Sequence, residues 1–425
     1  MLPIFNDYCT FIYDKCGLKI TEGLYWMDRM IIKAFDKQGN IHKVHRLKIE
    51  NDLSMTYTTY KTKEFRIATW NDTILLFNER LNELEHSSIS LLQKYGLNTK
   101  RMIIDTNSTG KDSEVKTYLA RKAGLIFDTY FNCTTMDVAD SNRFAKQKGY
   151  KFTYPEKKYG GFYQHQKKEN IIPNRLNRYC CQYFKENATK YEFSEDEKIL
   201  FLFGMRNDES NARSGYQDEW INDKWGNRDW LGLLPIRHWT DLDIWLYTLR
   251  EEIDINTKYK KGYDRVGCGI VCPNYTKSTW ILDKYWYPPL FKRWRNILKD
   301  DFINNNKWLI MNCTIEEYIT QAWNGGVFRS EPTEEVIQEY ATYNEMDLDV
   351  AKKYFNRYCT NGCLNKRRMP MKIKDKATLG MNMKLFGRQI DKFKCKKCLM
   401  KEFSWTKEDW DAKVEEFKEQ GCKLF

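Results

Sequence analysis

Short apolar runs alternate with helical periodicity through the middle of the chain. Met102, Ile103 and Ile104 form a run suited to a buried parallel strand, and it breaks at Asn107, Ser108, Thr109 and Gly110. Asp112 and Ser113 open a helix in which Val115, Tyr118 and Leu119 recur at helical spacing. After Gly124 the residues 125–131 predict a second strand, running into Asn132, Cys133, Thr134, Thr135, Met136 and Asp137, with a helix over about 138–148. Residues 198–203 and 231–236 predict further strands, and residues 238–245 open a capped helix. Strands alternating with helices at this interval predict the α/β class, with a doubly wound, mostly parallel sheet whose ligands bind at the carboxyl ends of its strands. Upstream, residues 30–35 and 41–49 flank a hairpin turn at 36–40, and 71–95 carry a helical stripe. Downstream, 403–417 predict a closing helix with Trp405, Trp410, Val414 and Phe417 as its buried side. The expected division is a small N-terminal α+β module over 1–70, a central domain over 71–300 and a helical, Cys-rich module over 301–425.

Composition narrows the class. No apolar stretch approaches the roughly 20 residues of a spanning helix, and the first residues lack a signal peptide's pattern, so a cytoplasmic protein without membrane contact is expected. A net charge of +12, from 70 Lys and Arg against 58 Asp and Glu, favours polyanionic partners without proving one. Thirteen cysteines in such a setting point to metal or cluster ligands, because cytosolic thiols stay reduced.

The junction at 104–113 carries the chemistry. A strand, a small-residue loop and a helix N-terminus make an anion site, since unpaired N–H groups and the positive end of the dipole aim at one spot. Ser108-Thr109-Gly110-Lys111-Asp112-Ser113 lacks the G-x-x-x-x-G-K-[ST] of a Walker loop. It resembles instead the pyrophosphate (PP) loop of N-type ATP pyrophosphatases, with Thr109 where that group has its first glycine. Farther on come Asn132-Cys133-Thr134-Thr135, Gly204-Met205-Arg206-Asn207-Asp208-Glu209-Ser210-Asn211-Ala212-Arg213, Pro235-Ile236 with Trp239-Thr240 and Asp243-Ile244-Trp245, and Gly262-Tyr263 with Arg265-Val266-Gly267-Cys268. In this order, over about residues 101–289, they resemble the phosphoadenosine phosphosulfate (PAPS) reductase family. That family includes sulfonucleotide reductases and the ATP pyrophosphatase of DNA phosphorothioation, and the resemblance implies an adenine nucleotide alpha hydrolase-like fold. By position it implies that Ser108, Thr109, Gly110, Lys111, Asp112 and Ser113 hold the phosphates of ATP, or of adenylyl sulfate (APS) or PAPS, with Mg2+. Arg206 and Arg213 would hold the anionic end of the substrate, and with Lys111 and Asp112 are the catalytic candidates. Asn132 and Asp137 are the remaining nucleotide-binding candidates.

The cysteines fall into two sets. Cys180-Cys181-Gln182-Tyr183-Phe184-Lys185 resembles the C-C-x-x-x-K segment that, with a later pair, holds a [4Fe-4S] cluster in assimilatory adenylyl-sulfate reductases; here the later pair is Cys268 and Cys272. Four thiolates suit such a cluster, zinc takes four cysteines equally well, and buried structural thiols need no metal. Cys359 and Cys363 with Cys395 and Cys398 have the spacing of a zinc-ribbon-like Zn2+ module. Its basic residues Lys366, Arg367, Arg368, Lys396 and Lys397 suit either a nucleic-acid contact or a solvated structural face.

Reductases of the family carry a nucleophilic cysteine in an E-C-G-x-H segment, whereas the last cysteine here, Cys422, lies in Gly421-Cys422-Lys423 with no histidine. The expectation is therefore an ATP pyrophosphatase that adenylates an acceptor for sulfur transfer, with a sulfur-donor protein as partner. A sulfonucleotide reductase using Cys422 and a nucleotide-sensing or nucleic-acid-binding protein without turnover are the alternatives.

Overall fold

The computed structural model describes residues 1–425 except 62, 187, 189–191, 211, 212, 214, 223, 224, 326–328, 330, 356, 358, 364–370, 372, 374, 388–391 and 421–425. The chain divides into two compact units, Met1–Lys292 and Arg293–Phe425.

The first unit holds two sheets. Strands β1 (Leu2–Pro3), β2 (Tyr25–Asp28), β3 (Ile31–Phe35), β4 (Ile41–Ile49) and β5 (Met55–Thr59) pair antiparallel in chain order. The hairpin turn between β3 and β4 is held by Asp36, whose carboxylate accepts from the N–H groups of Gln38 and Asn40 at 2.9 Å each. Helix α1 (Asn6–Cys16) buries Tyr8, Phe11 and Ile12 in the same core as Ile32 and Leu47. Helix α2 (Trp70–Gly96) begins at a capping box, in which Thr69 and Asp72 each bond the other's backbone N–H.

The second sheet adds β6 (Met102–Thr106), β7 (Asp128–Asn132), β8 (Lys151–Thr153), β9 (Ile199–Leu202), β10 (Glu219–Trp220) and β11 (Trp230–Leu233), in the order β10-β11-β9-β6-β7-β8. All neighbours are parallel except β10 and β11. Its two faces are both buried: Ile103, Leu200 and Leu202 enter the core of α2 and α3 (Lys111–Lys122), while Ile104, Ile199 and Phe201 enter a second core with Phe193 and Trp230. That alternation is why the strands read as nearly continuous apolar runs. The fold is thus α/β with a doubly wound, mostly parallel sheet. The order reverses between β6 and β9, which places a crevice at their carboxyl ends.

Three elements differ from expectation, the first being the strand expected over 231–236: β11 ends at Leu233, and residues 235–238 form a turn. The second strand begins at Asp128 rather than at residue 125, because Leu125 folds back to bond Ala120 and to pack beneath Gly96. The closing helix is Lys407–Glu419, capped by Thr406, so that Trp405 precedes it. Trp410 and Phe417 are its buried residues, and Trp405 and Val414 only flank that core.

The second unit is helical, with helices at Lys307–Met311, Glu334–Tyr343, Leu348–Phe355, Lys376–Phe386 and Lys396–Glu402 before the closing one. Helix Lys376–Phe386 lies in sequence between the two cysteine pairs and buries Met381 with Leu399 and Trp410. No helix among the described residues is long and apolar enough to cross a membrane.

Candidate functional site

The loop between β6 and α3 is built by its own side chains. The Thr109 N–H donates to Asn107 Oδ1 at 2.7 Å, which bends the chain so that Thr109 takes the left-handed φ of 59°. That conformation ordinarily belongs to glycine. The Thr109 hydroxyl, fully buried, accepts from Asn256 Nδ2 at 3.0 Å, a contact glycine would lack. Gly110 is the N-cap of α3, the Lys111 N–H donates to the Tyr259 phenol at 3.0 Å, and the Ser108 and Ser113 hydroxyls meet at 3.2 Å. The first-turn N–H groups of Asp112 and Ser113 have no partner within a helix by construction.

Four charged side chains gather over this turn. Lys111 Nζ lies 2.9 Å from Asp112 and 3.0 Å from Asp241, while Arg206 pairs with Asp112 and reaches Asp241 at 3.2 Å. Arg206 leaves the end of β9 and Lys111 follows β6, so the two cations face each other across the topological switch. Gly204 makes the approach possible: a Cβ there would lie 3.0 Å from the backbone of Asp112 and Ser113. Burial opposes a charge on Lys111, but Asp112, Tyr259 and Asp241 outweigh it and hold its pKa above the ordinary lysine value. Burial likewise works against the Asp241 carboxylate, and Lys111 nevertheless brings its pKa down to about 2.

Beneath the loop lies a fully buried polar layer. Lys116 pairs with Asp105 and donates to the Thr106 carbonyl at 2.7 Å, and Thr117 Oγ1 donates to Asp105 at 2.7 Å. Both Glu114 oxygens accept from the Tyr150 phenol, at 3.0 and 2.9 Å, and burial pushes the Glu114 carboxyl up to about 7.

Of the predicted nucleotide residues, Ser108 through Ser113 and Arg206 come together. Arg213 pairs with Glu209 in its own loop. Asp137 accepts from the Thr134 N–H and hydroxyl at 2.8 Å each, closing the turn after β7, and burial raises its pKa. Asn132 donates to the Lys185 carbonyl, and its Oδ1 is buried with no partner among the described residues. Sequence reasoning missed Asp241, Asn256 and Tyr259 as parts of this assembly. Asp241 stands in the first turn of helix Asp241–Arg250, where an acidic residue reads simply as complementing the dipole. The motif residue Asp243 is structural: it closes the capping box with Thr240 and pairs with Arg80 at 2.7 Å.

The cysteines form two different arrangements. Cys180 lies within electrostatic reach of Cys181, Cys268 and Cys272. A hydrogen bond from Cys180, with Lys185 and Arg178 nearby, lowers the Cys181 pKa, and the same pairing with burial raises that of Cys180. Gly269, at φ 74°, lets the Cys268–Cys272 turn sit where a Cβ would be 2.6 Å from the Met136 carbonyl. The second set is tighter. The sulfurs of Cys359, Cys363, Cys395 and Cys398 all lie within 4.8 Å of one another, and among the described residues only this group does so. Cys398 lies 3.7 Å from Cys359 and 3.4 Å from Cys363, and Cys395 lies 3.8 Å from Cys363. Four thiolates about one tetrahedral ion with metal–sulfur bonds near 2.3 Å would stand about 3.8 Å apart. The backbone N–H of Cys395 donates to Cys359 Sγ at 3.3 Å, orienting one thiol. Lys366, Arg367 and Arg368 lie outside the described residues; Lys396 reaches Asp411 at 3.9 Å, and Lys397 is exposed.

Residues 103–274 match the phosphoadenosine phosphosulfate reductase domain. An uncharacterised protein of Methanocaldococcus jannaschii is 29% identical over 250 residues, covering 56% of this chain and 58% of that one. A second from the same organism is 28% identical over 229 residues, covering 52% and 46%. The chain thus spans about half the length of these relatives. Adenosine 5'-phosphosulfate reductase 1 of Bacillus subtilis is 35% identical over 68 residues, covering 16% of this chain and 28% of that protein. The loop after β6, the arginine after β9 and the turn of Cys268 all lie inside the matched segment, so residues 103–274 carry a phosphoadenosine phosphosulfate reductase domain.

Proposed function

We propose that the chain cleaves ATP to AMP and pyrophosphate, adenylating an acceptor oxygen that sulfur then replaces. The observation that carries the reading is the gathering of Lys111, Asp112, Arg206 and Asp241 over the N-terminus of α3. Phosphate oxygens compete with carboxylates for Lys111 and Arg206, and the N–H groups of Asp112 and Ser113 supply fixed donors for the developing pyrophosphate charge. The released Asp112 and Asp241 carboxylates suit Mg2+, a hard cation that binds through one or two carboxylates and substrate phosphates. The acceptor oxygen attacks the α-phosphorus and the bond to the β-phosphate oxygen breaks. A sulfide-level nucleophile from a donor protein then takes the acceptor carbon, and AMP leaves with the oxygen.

Cys180, Cys181, Cys268 and Cys272 are the residues that would hold a [4Fe-4S] cluster. Thiolates on separate irons stand farther apart than ligands of one ion, which fits this looser set. Such a cluster would supply sulfur or electrons for the exchange. The tight set of Cys359, Cys363, Cys395 and Cys398 fits one Zn2+, and the basic residues that lie between and beside these cysteines in sequence suit a nucleic-acid acceptor.

The similarity to a Bacillus subtilis adenosine 5'-phosphosulfate reductase favours a second reading, reduction of a sulfonucleotide with release of sulfite. Its nucleophile would be Cys422, which lies outside the described residues. One anaerobic assay separates the two. The enzyme, offered ATP, APS and PAPS in turn, should release pyrophosphate from ATP and no sulfite from the others, and Asp112→Ala should abolish release. Sulfite from APS or PAPS without pyrophosphate from ATP would install the second reading.

A further inference from the structure

Over β2 and β3 one face of the N-terminal sheet buries Trp26 and Phe35 against Trp70 and Phe77, whereas toward β4 and β5 the same face is exposed. Ile32, Leu47 and Met55 point into the core with α1. By the two-residue period of a strand, Arg46 and Lys48 lie on the opposite face, and both are exposed. The register places Thr58 opposite Arg46, Thr56 opposite Lys48, Ile31 opposite Arg46, and Lys43 opposite Lys33 across the bulge at Ile32/Lys33. The outer face of β4 and β5 is therefore a patch of Lys43, Arg46 and Lys48 bordered by two threonine hydroxyls, with the half-buried Lys33 at its margin beside Trp26.

Three features argue that this charge has a partner. Between residues 29 and 66 nine lysines and arginines stand against four acidic residues, a large share of the chain's net +12. Lys33 has Asp28 and Lys48 has Glu50 at 2.6 Å, but Lys43 and Arg46 have no acidic partner among the described residues. Directly opposed like charges such as Lys33 and Lys43 weaken a sheet, so the pattern works against the fold's own stability. Protection of a sheet edge does not account for it. Lysines placed for that purpose belong on the edge strand, whereas the edge strand β5 reads Met55-Thr56-Tyr57-Thr58-Thr59 and the cations stand one and two strands inward.

We propose that this face binds the sugar–phosphate backbone of nucleic acid without reading sequence. Lysine, arginine and threonine are the side chains that contact phosphate, and Lys43, Arg46, Lys48, Thr56 and Thr58 are all of that kind. Arg46 and Lys48, two residues apart on one extended strand, put cations about 7 Å apart along β4. The proposal stands apart from the sulfur-transfer reading, because its test is equilibrium binding without turnover. It is also distinct from the basic residues around the cysteine quartet, which lie in the other unit.

The test uses the full chain and fluorescent random-sequence RNA and DNA, single- and double-stranded, titrated from about 50 to 300 mM salt. Affinity should fall steeply with salt, and Lys43→Gln with Arg46→Gln and Lys48→Gln together should reduce the log–log slope by about two to three, the sum of three lost phosphate contacts. Arg46→Glu alone should weaken binding uniformly across sequences, and calorimetric ATP binding should be unchanged in every variant. An unchanged slope in the triple variant, or no binding at the lowest salt, would overturn the proposal. Binding to phosphatidylserine vesicles in place of nucleic acid would overturn it too and would assign the face to an anionic membrane surface.

Discussion

Thr109 holds a backbone conformation that costs a residue with a Cβ roughly 1–2 kcal/mol, and its hydroxyl returns part of that through Asn256. The two effects can be separated by substitution. Thr109→Gly removes the strain and loses one hydrogen bond of about 1 kcal/mol, so its stability should stay close to that of the parent. Thr109→Ala keeps the strain and loses the bond, and should be less stable by about 1 kcal/mol in urea unfolding. An alanine variant more stable than the glycine variant would mean that the loop carries no such strain. Glu114 makes a prediction in pH. Its carboxyl is raised by burial from 4.5 to about 7, so between those values the folded chain binds more protons than the unfolded one. The stability it confers is complete below about pH 4.5 and is lost as pH rises through 7, an effect on the order of 3 kcal/mol. Glu114→Gln should flatten the fall in unfolding free energy over that window. A fall from Asp283, which burial raises from 3.8 to about 6, should persist in the variant and end at lower pH. Parallel curves for parent and Glu114→Gln would show that Glu114 is not the group that titrates.

At the scale of elements, the junction of β6 with α3 depends on how closely β9 can exit past it. Gly204→Ala places a Cβ 3.0 Å from the backbone at Asp112 and Ser113, neither of which can swing aside as a side chain would. Overpacking of this kind costs about 1–3 kcal/mol. The displaced first turn of α3 should also weaken nucleotide binding, so both urea unfolding and calorimetry should register the change. Unchanged affinity would mean that the approach of β9 does not set the loop's shape. The strands and helices around this junction were legible because each is a short apolar run closed by small polar residues: β6, α3, β9 and the helix after Thr240 all stand where their patterns place them. The start of β7 was not legible, since Leu125 satisfies the same apolar pattern while serving a turn against α2. Lys111, Asp112 and Arg206 could be found from motif order. Asp241, Asn256 and Tyr259 could not, because an acid in a first turn, an asparagine before a short helix and a buried tyrosine all have ordinary structural uses, and only the closed fold brings them to the loop.

For the molecule as a whole, the two cysteine sets should behave as separate metal sites. Cys395→Ser should lose one zinc by metal analysis and keep iron, and Cys181→Ser should do the reverse in anaerobically purified protein. Loss of both metals from either variant would mean that the sites depend on each other, and a colourless, iron-free parent protein would remove the cluster. The loop between β6 and α3 has a different relation to the whole chain. Asp112 and Arg206 are 94 residues apart, Thr109 and Asn256 are 147, and Lys111 meets Tyr259 across 148. Contacts of such separation form late, because loop closure must precede them. During synthesis, which proceeds from the N-terminus, the loop is therefore made early and finished late. A nascent chain cannot close this loop until residue 259 has emerged, and the nucleotide proposed to bind there would act as a clasp that favours the completed sheet over every shorter, partly folded form.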